Sequence, residues 1–447
     1  MRYKDTIIRT IAELCRLLIG GVFIFSGLVK AVDPVGFALK IEEYLASFGL
    51  EGLQAFSSIL SFNIIAVEFA LGVCILMGVY RRYSTFLVLL FMAFMTPLTL
   101  YLALFDPVSD CGCFGDAVII TNWETFYKNV VLLAASIFIF IYNQRIFSFF
   151  THKAYWFVGL FAYLFCIGFS YRNYYHLPII DFRPYKIGAN IPYLMSIPED
   201  APEDEYTYSF IYEKDGVKKE FGLNNYPADD PDWTFVESKT ELVKEGYVPP
   251  ITSFDLYNEE GDNLSEEILN NDQAVFLLIL SKVEKANDER IDDINNVYDY
   301  AVDKHIPFYA VSGSSVSEIE IWSDRTGAEY PFLIADETFL KTIIRSNPGL
   351  LLLRSGTILK KWHYKDIPAE ENIDTVINSY LEGKEDETHK QQAAIRNNLL
   401  TFSVPLLLVW MYDYFRNRRR KRAGNKAEKE DIENKIYLLY IYKSLKI

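Results

Sequence analysis

Residues 64–80, IIAVEFALGVCILMGVY, decide the fold class of this chain because they form an apolar run that contains one charged residue, Glu68. The core of a lipid bilayer is crossed by a helix of about 20 apolar residues. A helix also satisfies its own backbone hydrogen bonds, which lipid cannot do. The segment therefore predicts a membrane-spanning helix, with the lipid bilayer as a partner of the chain.

Five other stretches share this apolar character. The six predicted spans are roughly Ile11–Val29, Ile64–Tyr80, Thr85–Phe105, Val130–Tyr142, Ala154–Ser170 and Leu399–Phe415. The fourth is short, and we expect its helix to begin near Trp123. The fold class predicted for this half is an α-helical transmembrane bundle, a four-helix core with two further spans.

Lysine and arginine accumulate in alternate connections between the spans. The basic groups are Arg2, Lys4 and Arg9, then Arg81 and Arg82, then Arg145 and Lys153, and finally residues 416–422, RNRRRKR. Six spans place all these groups on one side, which the positive-inside rule assigns to the cytoplasm. We therefore expect a bacterial inner-membrane protein with cytoplasmic termini and residues 172–396 in the periplasm.

The charge of the chain is divided unequally. The net charge is −15, and residues 172–390 carry about −22, which leaves about +7 for the remainder. An acidic exterior repels nucleic acid, so we expect no nucleic-acid partner. The basic run 416–422 directly follows a span, and its position also argues against nucleic-acid binding. The first apolar run has no small-residue cleavage site, so no cleaved signal peptide is expected.

The region between the last two spans combines strand and helix patterns. Residues Tyr208–Phe221 alternate around Lys214-Asp215-Gly216 and predict a β-hairpin. From Pro249 a strand–helix–strand order follows, continued by a hairpin and a closing helix. The predicted elements are Ala274–Leu280, helix Ala286–Lys304, Pro307–Val311, Phe332–Ala335, Gly349–Arg354, Thr357–Trp362 and helix Ala369–Leu381. This is an α/β fold.

Residues 346–350, SNPGL, resemble the cis-proline segment of thioredoxin and peroxiredoxin-like domains. The resemblance implies a cis bond before Pro348, and Asn347 and Pro348 would then border a groove for an extended peptide. In that family the redox pair follows the first buried strand, here residues 281–286, SKVEKA. No cysteine lies there or anywhere between 167 and 447. The domain is predicted to be either purely structural or a peptide-binding module.

The cysteines differ in their surroundings. Cys15, Cys74 and Cys166 lie in apolar spans, where cysteine is a small hydrophobic residue. Cys111 and Cys113 lie in the outward loop 110–116, DCGCFGD, and could bridge only in a cramped ring. A strained disulfide is labile and suited to exchange. A structural loop remains an alternative. Metal binding is a third reading, but the loop has no histidine, so no metal is predicted.

Charged residues near the spans are further candidates for function. An ionisable group such as Glu68 inside a span is costly and is a functional candidate by default. Pairing of Glu68 with Lys30 or Lys128 would be the structural alternative to proton handling. Lys30 could also simply reach the interface with its long side chain. Asp33 lies close by, at the outer end of the first span.

Residues 25–30, FSGLVK, together with Asp33-Pro34, Tyr44, Glu68 and the loop 111–115, CGCFG, resemble the DoxX and MauE families of four-span membrane proteins. The likeness extends over about residues 8–145. It implies thiol–disulfide work outside the membrane, with a membrane quinone as the electron acceptor to be considered. MauE-like proteins are implicated in maturing a disulfide-rich enzyme, which suggests exported proteins as substrates. No other cofactor is implied.

These observations predict six segments: a membrane domain 1–150, a fifth span 151–172, a β-rich insert 173–248, a thioredoxin-like domain 249–390, a sixth span 391–415 and a basic tail 416–447. The first functional hypothesis is a membrane thiol–disulfide redox protein, a candidate oxidoreductase. Its predicted catalytic residues are Cys111, Cys113 and Glu68, supported by Lys30, Asp33 and Lys128. The second hypothesis is a non-catalytic scaffold whose thioredoxin-like domain binds an envelope partner or exported chain.

Overall fold

The computed structural model describes residues 2–108, 110–227, 230–244 and 246–444, without the side chains of 2, 420, 421, 423–430 and 432–444. The chain forms two compact units. The helical unit comprises Met1–Arg183, Trp362–Asp366 and Glu382–Ile447. The thioredoxin-like unit comprises Pro184–Lys361 and Ile367–Leu381.

The helical unit opens with six helices. They are α1 Arg2–Val32, α2 Pro34–Ser47, α3 Ser57–Met77, α4 Arg81–Phe105, α5 Asn122–Ile141 and α6 Tyr155–Tyr175. Local sequence sets several boundaries. Asp33 caps α2 by accepting a hydrogen bond from the Gly36 amide, and Pro34 fits the first turn. Thr121 and Glu124 form a capping box that starts α5. Gly78, in the left-handed conformation, ends α3.

Five helices within the described residues are long and apolar enough to cross a membrane. These segments are Tyr3–Val32, Glu51–Met77, Arg81–Phe105, Asn122–Ile141 and Glu387–Arg419. The predicted span 154–170 also folds as a helix, α6, but its tyrosines, tryptophan and arginine dilute its apolar residues. With 21 residues, α6 is about 30 Å long, enough to reach across a bilayer. Its role as the sixth span therefore stays a prediction.

Helices α1 and α3 approach each other closely through two glycines. A Cβ atom built on Gly27 would lie 2.8 Å from Cβ of Phe69, and one on Gly72 would lie 2.7 Å from the backbone nitrogen of Ile24. The neighbouring side chains Phe23, Phe69 and Val73 are fully or almost fully buried. The two helices are thus packed at backbone distance along their middle sections, as small residues allow in membranes.

The predicted basic groups come together at one end of the helical unit. Arg145 pairs with Asp5 at 2.9 Å, and Arg81 donates to the carbonyl of Ile146 at 2.8 Å. We call the end that carries Asp5, Arg81 and Arg145 the basic end. The shared location agrees with the charge pattern, while the cytoplasmic assignment of this end stays a prediction.

The thioredoxin-like unit contains two sheets and several helices. Its elements are α7 Ile191–Met195, β1 Glu205–Lys214, β2 Val217–Gly222, β3 Thr234–Lys244, α8 Ser265–Leu269, β4 Ala274–Leu280, α9 Ile291–Asp303, β5 Phe308–Ser312, α10 Val316–Thr326, β6 Phe332–Ile334, α11 Glu337–Ile343, β7 Gly349–Arg354, β8 Thr357–His363 and α12 Ile373–Leu381.

The larger sheet has the strand order β6-β5-β4-β7-β8. Strand β4 runs parallel to β5 and antiparallel to β7, with Ala274 opposite Arg354 and Ile279 opposite Gly349. All seven residues of β4 are buried, as expected of a central strand covered on both faces. The predicted thioredoxin order of strand, helix, strand, hairpin and helix is confirmed.

The smaller sheet has the order β2-β1-β3. The predicted hairpin is present, and Asp215 and Gly216 form its turn with positive φ angles of 51° and 77°. Strand β3 was not predicted from the sequence. All of its residues are exposed, so it lacks the one-sided apolar alternation that marks a half-buried strand.

Helix α9 begins later than the sequence pattern suggests. The predicted start was Ala286, whereas the helix starts at Ile291. Val283–Lys285 instead forms a short 3-10 turn, and the amide of Asn287 donates to the carbonyl of Asn347. This tertiary hydrogen bond takes the segment out of the helix.

The last helix, α13, runs from Glu387 to Ser444 and includes the predicted span Leu399–Phe415. Its Phe402 ring packs against Phe69 and Phe165, with centroids 5.4 and 4.8 Å away. Buried Asp413 accepts hydrogen bonds from the amide and the hydroxyl of Thr151, both at 2.6 Å. The predicted basic tail 416–447 is helical up to residue 444, and its last three residues lie outside the described part of the chain.

Candidate functional site

The candidate site is the loop between α4 and α5 that carries Cys111 and Cys113. Asn122, the first residue of α5, anchors this loop. Its side-chain amide donates to Oδ1 of Asp106 at 2.9 Å and to the carbonyl of Val108 at 3.0 Å. Asp106 ends α4 in the left-handed conformation, with φ of 45°, so the chain turns sharply there. The loop is thus fixed at both helix ends.

Cys111 and Cys113 are free thiols whose sulfur atoms lie 2.8 Å apart. A disulfide bond measures about 2.05 Å, so closing the ring requires only a small further approach. Gly112, between them, has φ of +65°, a conformation that glycine adopts without steric cost. A Cβ atom at this position would also lie 3.1 Å from Cγ of Lys40. Both the positive φ angle and the nearby Lys40 side chain therefore favour glycine at residue 112.

The backbone of residues 111–113 forms hydrogen bonds both to neighbouring helices and within the loop. Tyr44 on α2 donates its hydroxyl to the carbonyl of Cys111 at 2.8 Å, and Ser26 on α1 donates to the carbonyl of Cys113 at 2.6 Å. The Gly112 amide donates to Oδ1 of Asp110 at 2.7 Å, and the Gly112 carbonyl accepts from the amide of Gly115. The two cysteines are therefore held from helices as well as from within the loop.

The two thiols differ in exposure. Cys111 is 5% exposed and packs with Leu102 and Val108. Cys113 is half-buried and so is the more exposed residue of the pair.

A buried ion pair lies next to the thiols. Lys30 Nζ and Glu68 Oε2 are 2.6 Å apart, and the two residues are only 6% and 4% exposed. The pair joins α1 to α3 just below the loop. Of the two lysines that the sequence offers as partners, Lys30 and Lys128, the structure pairs Glu68 with Lys30. Buried charges of this kind persist only when paired.

Positive charge surrounds Cys113. Lys128 on α5 lies 4.2 Å from the centre of the Phe114 ring, the residue that follows Cys113. A hydrogen bond from the Cys111 thiol, followed by the charges of Lys128 and Lys30, lowers the pKa of Cys113 below its ordinary value despite burial. That same hydrogen bond, together with burial, raises the pKa of Cys111. These influences favour the thiolate on Cys113 over that on Cys111.

Asp33, the remaining predicted supporting residue, has a structural position. Its Oδ1 accepts from the Gly36 amide at 2.9 Å and caps α2. It thereby fixes the start of the helix that carries Lys40 and Tyr44. Lys40 pairs with Asp110 at 3.0 Å. The roles of Ser26, Lys40 and Tyr44 were not assigned from sequence because a side chain bonded to a distant loop leaves no spacing signal.

The other three cysteines lie within helices of the bundle. Cys74 and Cys166 are buried, and Cys15 is partly buried. Cys74 and Cys166 belong to the apolar cluster that includes Ile65 and Val158. These surroundings match the prediction that they are small packing residues.

In the thioredoxin-like unit, the segment that would carry the redox pair is hydrogen-bonded to the cis-proline segment and to other parts of the same chain. The Asn347–Pro348 bond is cis, as the resemblance implied. The Asn347 carbonyl accepts from the amide of Asn287 at 3.0 Å, and the Asn347 side chain donates to the carbonyl of Lys282 at 2.8 Å. The Val283 amide donates to Ser314 Oγ at 3.1 Å. A peptide binding beside Asn347 and Pro348 would compete with these bonds, and the groove stays a prediction.

Two family models match parts of the chain. Residues 8–142 match MauE, described as methylamine utilisation protein MauE. This match includes the cysteine loop, the ion pair and Lys128. Residues 206–245, which form the smaller sheet, match DUF8463, a domain of unknown function. Among curated proteins none matches this chain.

Solved structures resemble the thioredoxin-like part. A candidate protein disulfide isomerase from Bacteroides thetaiotaomicron is 18% identical, over 31% of this chain and 90% of its own, with a TM-score of 0.24. A thioredoxin-like protein from Aeropyrum pernix is 14% identical, over 28% and 89%, with a TM-score of 0.24. StoA from Bacillus subtilis is 17% identical, over 27% and 93%, with a TM-score of 0.22. The fold assignment rests on the strand order of the larger sheet.

Proposed function

We propose that this chain, which joins a MauE-like membrane domain to a thioredoxin-like domain, is a membrane thiol–disulfide redox protein that works through Cys111 and Cys113. The observation that carries the proposal is the pair of free thiols 2.8 Å apart, one of which feels the charges of two lysines. A structural disulfide would need neither a half-buried sulfur nor adjacent positive charge. A thiolate nucleophile benefits from both.

The chemistry is a two-step exchange. The Cys113 thiolate attacks one sulfur of a substrate disulfide, which forms a mixed disulfide and releases one substrate thiolate to be protonated. The Cys111 thiol then loses its proton and attacks Sγ of Cys113. This step forms the Cys111–Cys113 bond and releases the second substrate sulfur as a thiol. The substrate disulfide is reduced by two electrons and the protein pair is oxidised. In the reverse direction the bridged pair oxidises a substrate dithiol.

Lys30 and Glu68 have separate tasks in this scheme. The Lys30 charge stabilises the Cys113 thiolate. Glu68 holds Lys30 in place through the 2.6 Å ion pair, so its first task is positioning. Proton uptake by Glu68, the alternative to pairing, would require this pair to open. Such opening is costly while both groups remain buried and charged.

We further propose that the substrates are exported proteins and that the pair works in the direction of substrate oxidation. The reduced Cys111–Cys113 pair would then pass two electrons and two protons to a membrane quinone, which would restore the bridge. The loop lies at the end of the bundle that the charge pattern assigns to the outside. An apolar cavity of about 360 Å³ is lined by Met77, Phe149, Phe402 and Trp410, among others. Nine residues of α3 separate Met77 from Glu68, a rise of about 13 Å. This cavity is therefore too far from the thiols to hold a quinone that accepts their electrons directly. A quinone would have to approach the thiols from the surrounding lipid.

The test is the double variant Cys111→Ser, Cys113→Ser, produced in membranes beside a matched variant, Cys74→Ala, Cys166→Ala, that also removes two thiols. The redox state of exported cysteine proteins is followed by thiol trapping. We expect the first variant to lose exchange completely and the second to retain it. Unchanged exchange in the first variant would overturn the proposal and favour a scaffold role.

A further inference from the structure

We propose that Tyr44 and Ser26 are positioning residues that hold the reduced Cys111–Cys113 pair with its sulfur atoms facing each other. The inference rests on the proposed function and extends it to residues outside the loop. Both hydroxyls donate to cysteine carbonyls, Tyr44 to Cys111 at 2.8 Å and Ser26 to Cys113 at 2.6 Å. The two carbonyls thus have fixed directions, one set by α2 and the other by α1.

Tyr44 is built into the site. Its ring packs in the same small cluster as Leu102, Val108, Cys111 and Cys113. Burial raises the pKa of Tyr44 above its ordinary value, and the neighbouring cysteines raise it further. The phenol therefore stays protonated at every pH at which thiol exchange proceeds. It is a permanent hydrogen-bond donor to the carbonyl of Cys111.

Among the described residues, the bonds from Tyr44 and Ser26 are the ones that connect helix side chains to the cysteine carbonyls. The Gly112 amide and carbonyl are bonded within the loop, to Asp110 and Gly115. Lys40 reaches the loop through Asp110 at 3.0 Å, next to Cys111 in sequence. Lys40 is also bonded to Glu43 at 2.9 Å and is partly exposed, so its tie is screened by solvent. Tyr44 and Ser26 are thus the contacts that act on the cysteine backbones directly.

Holding the dithiol in place favours the disulfide. A free CxC segment must lose conformational freedom when its ring closes, and a segment that is already held loses less. Removing one hydrogen bond should therefore lower the equilibrium constant for forming the Cys111–Cys113 bond by about 2- to 10-fold. A tenfold change corresponds to about 30 mV toward a higher, more oxidising reduction potential.

The experiment uses the full-length protein in membranes with the variants Tyr44→Phe and Ser26→Ala. Each is equilibrated in buffers of graded reduced and oxidised glutathione, and the bridged fraction is measured by thiol trapping. The controls are Tyr163→Phe and Ser61→Ala, whose hydroxyls donate to Asn63 and to the carbonyl of Pro34, both at 2.8 Å. These controls remove the same chemical groups from hydrogen bonds that involve neither Cys111 nor Cys113.

We expect the bridged fraction to fall at a given glutathione ratio in Tyr44→Phe and Ser26→Ala, and to match the wild type in both controls. A wild-type pair that cycles while both test variants behave like it would overturn the positioning roles and leave the proposed function intact. An equal shift in the controls would also overturn them, because it would indicate general loosening. A wild-type pair that never bridges would overturn both the inference and the function.

Discussion

The thiol loop of the helical unit and the segment Ser281–Ala286 of the thioredoxin-like unit are opposites. The loop has two cysteines on a helical bundle that shares nothing with thioredoxin. The segment follows the central strand β4 of a thioredoxin-like sheet, beside a cis-proline, and has no cysteine. Under the proposed function, the thioredoxin-like fold and the thiol chemistry belong to different units of one chain. A fold alone does not establish a function, and the residues of the site have to be consulted.

The electrostatics of the two regions differ in the same sense. At the thiol loop the charges of Lys30 and Lys128 act on Cys113. In the other region Lys282 pairs with Glu337 at 3.4 Å, and Ser314 donates to Glu284. Lysines pair with carboxylates in both regions, but at the thiol loop the charges of Lys128 and Lys30 also act on a cysteine sulfur. This difference predicts which region responds to each of three substitutions.

The largest effect should come from Glu68→Ala, which tests how the helical unit depends on its buried ion pair. The substitution leaves the Lys30 charge buried without its carboxylate, and such a loss costs about 3–5 kcal/mol. We expect a large fall in the thermal stability of the helical unit in detergent. The double variant Lys30→Met, Glu68→Leu removes both charges and should recover most of it. Equal instability of both variants would contradict a role for the unpaired charge.

A somewhat smaller effect should come from Leu277→Ala in β4, which tests whether the thiol site works independently of the thioredoxin-like unit. Leu277 is fully buried, and removing a buried leucine side chain costs about 2–5 kcal/mol. We expect the thioredoxin-like unit to unfold at lower denaturant concentration, as measured by limited proteolysis. Trapping of Cys111 and Cys113 should be unaffected if the thiol site works alone. Loss of exchange in this variant would show that the two units act together.

The smallest effect should come from Lys128→Gln. Without this charge the pKa of Cys113 should rise from about 6 toward its ordinary value. The thiolate forms above the pKa, so alkylation by iodoacetamide should slow most at pH values below it and converge with the wild type at high pH. Lys153→Gln, at a lysine assigned to the opposite side of the membrane, is the control. A profile unchanged by Lys128→Gln would remove Lys128 from the site.

The sequence was sufficient for features that depend on local composition. The apolar runs predicted the membrane helices because lipid imposes length and hydrophobicity on each one separately. The order of buried strands predicted the thioredoxin-like sheet, and Asp215-Gly216 predicted the hairpin turn. The site residues Cys111, Cys113, Lys30, Glu68 and Lys128 were all named in advance, and the structure brings them together. Their roles remain predictions until the substitutions are measured.

Features created by distant contacts could not be predicted. The choice of Lys30 over Lys128 as partner of Glu68 depends on how α1 packs on α3. The start of α9 at Ile291 depends on a hydrogen bond to Asn347, about 60 residues away in the chain. Strand β3 is exposed along its whole length and has no hydrophobic pattern to announce it. Each of these depends on tertiary structure.

The close contact of α1 and α3 has a consequence for how the site tolerates change. The separation of Lys30 and Glu68 is set by the missing side chains of Gly27 and Gly72, neither of which carries charge or reactivity. A single methyl group at either glycine would act as a spacer between the helices and pull the ammonium away from the carboxylate. The geometry of the ion pair beside the thiols is therefore sensitive to two positions whose side chains are single hydrogen atoms.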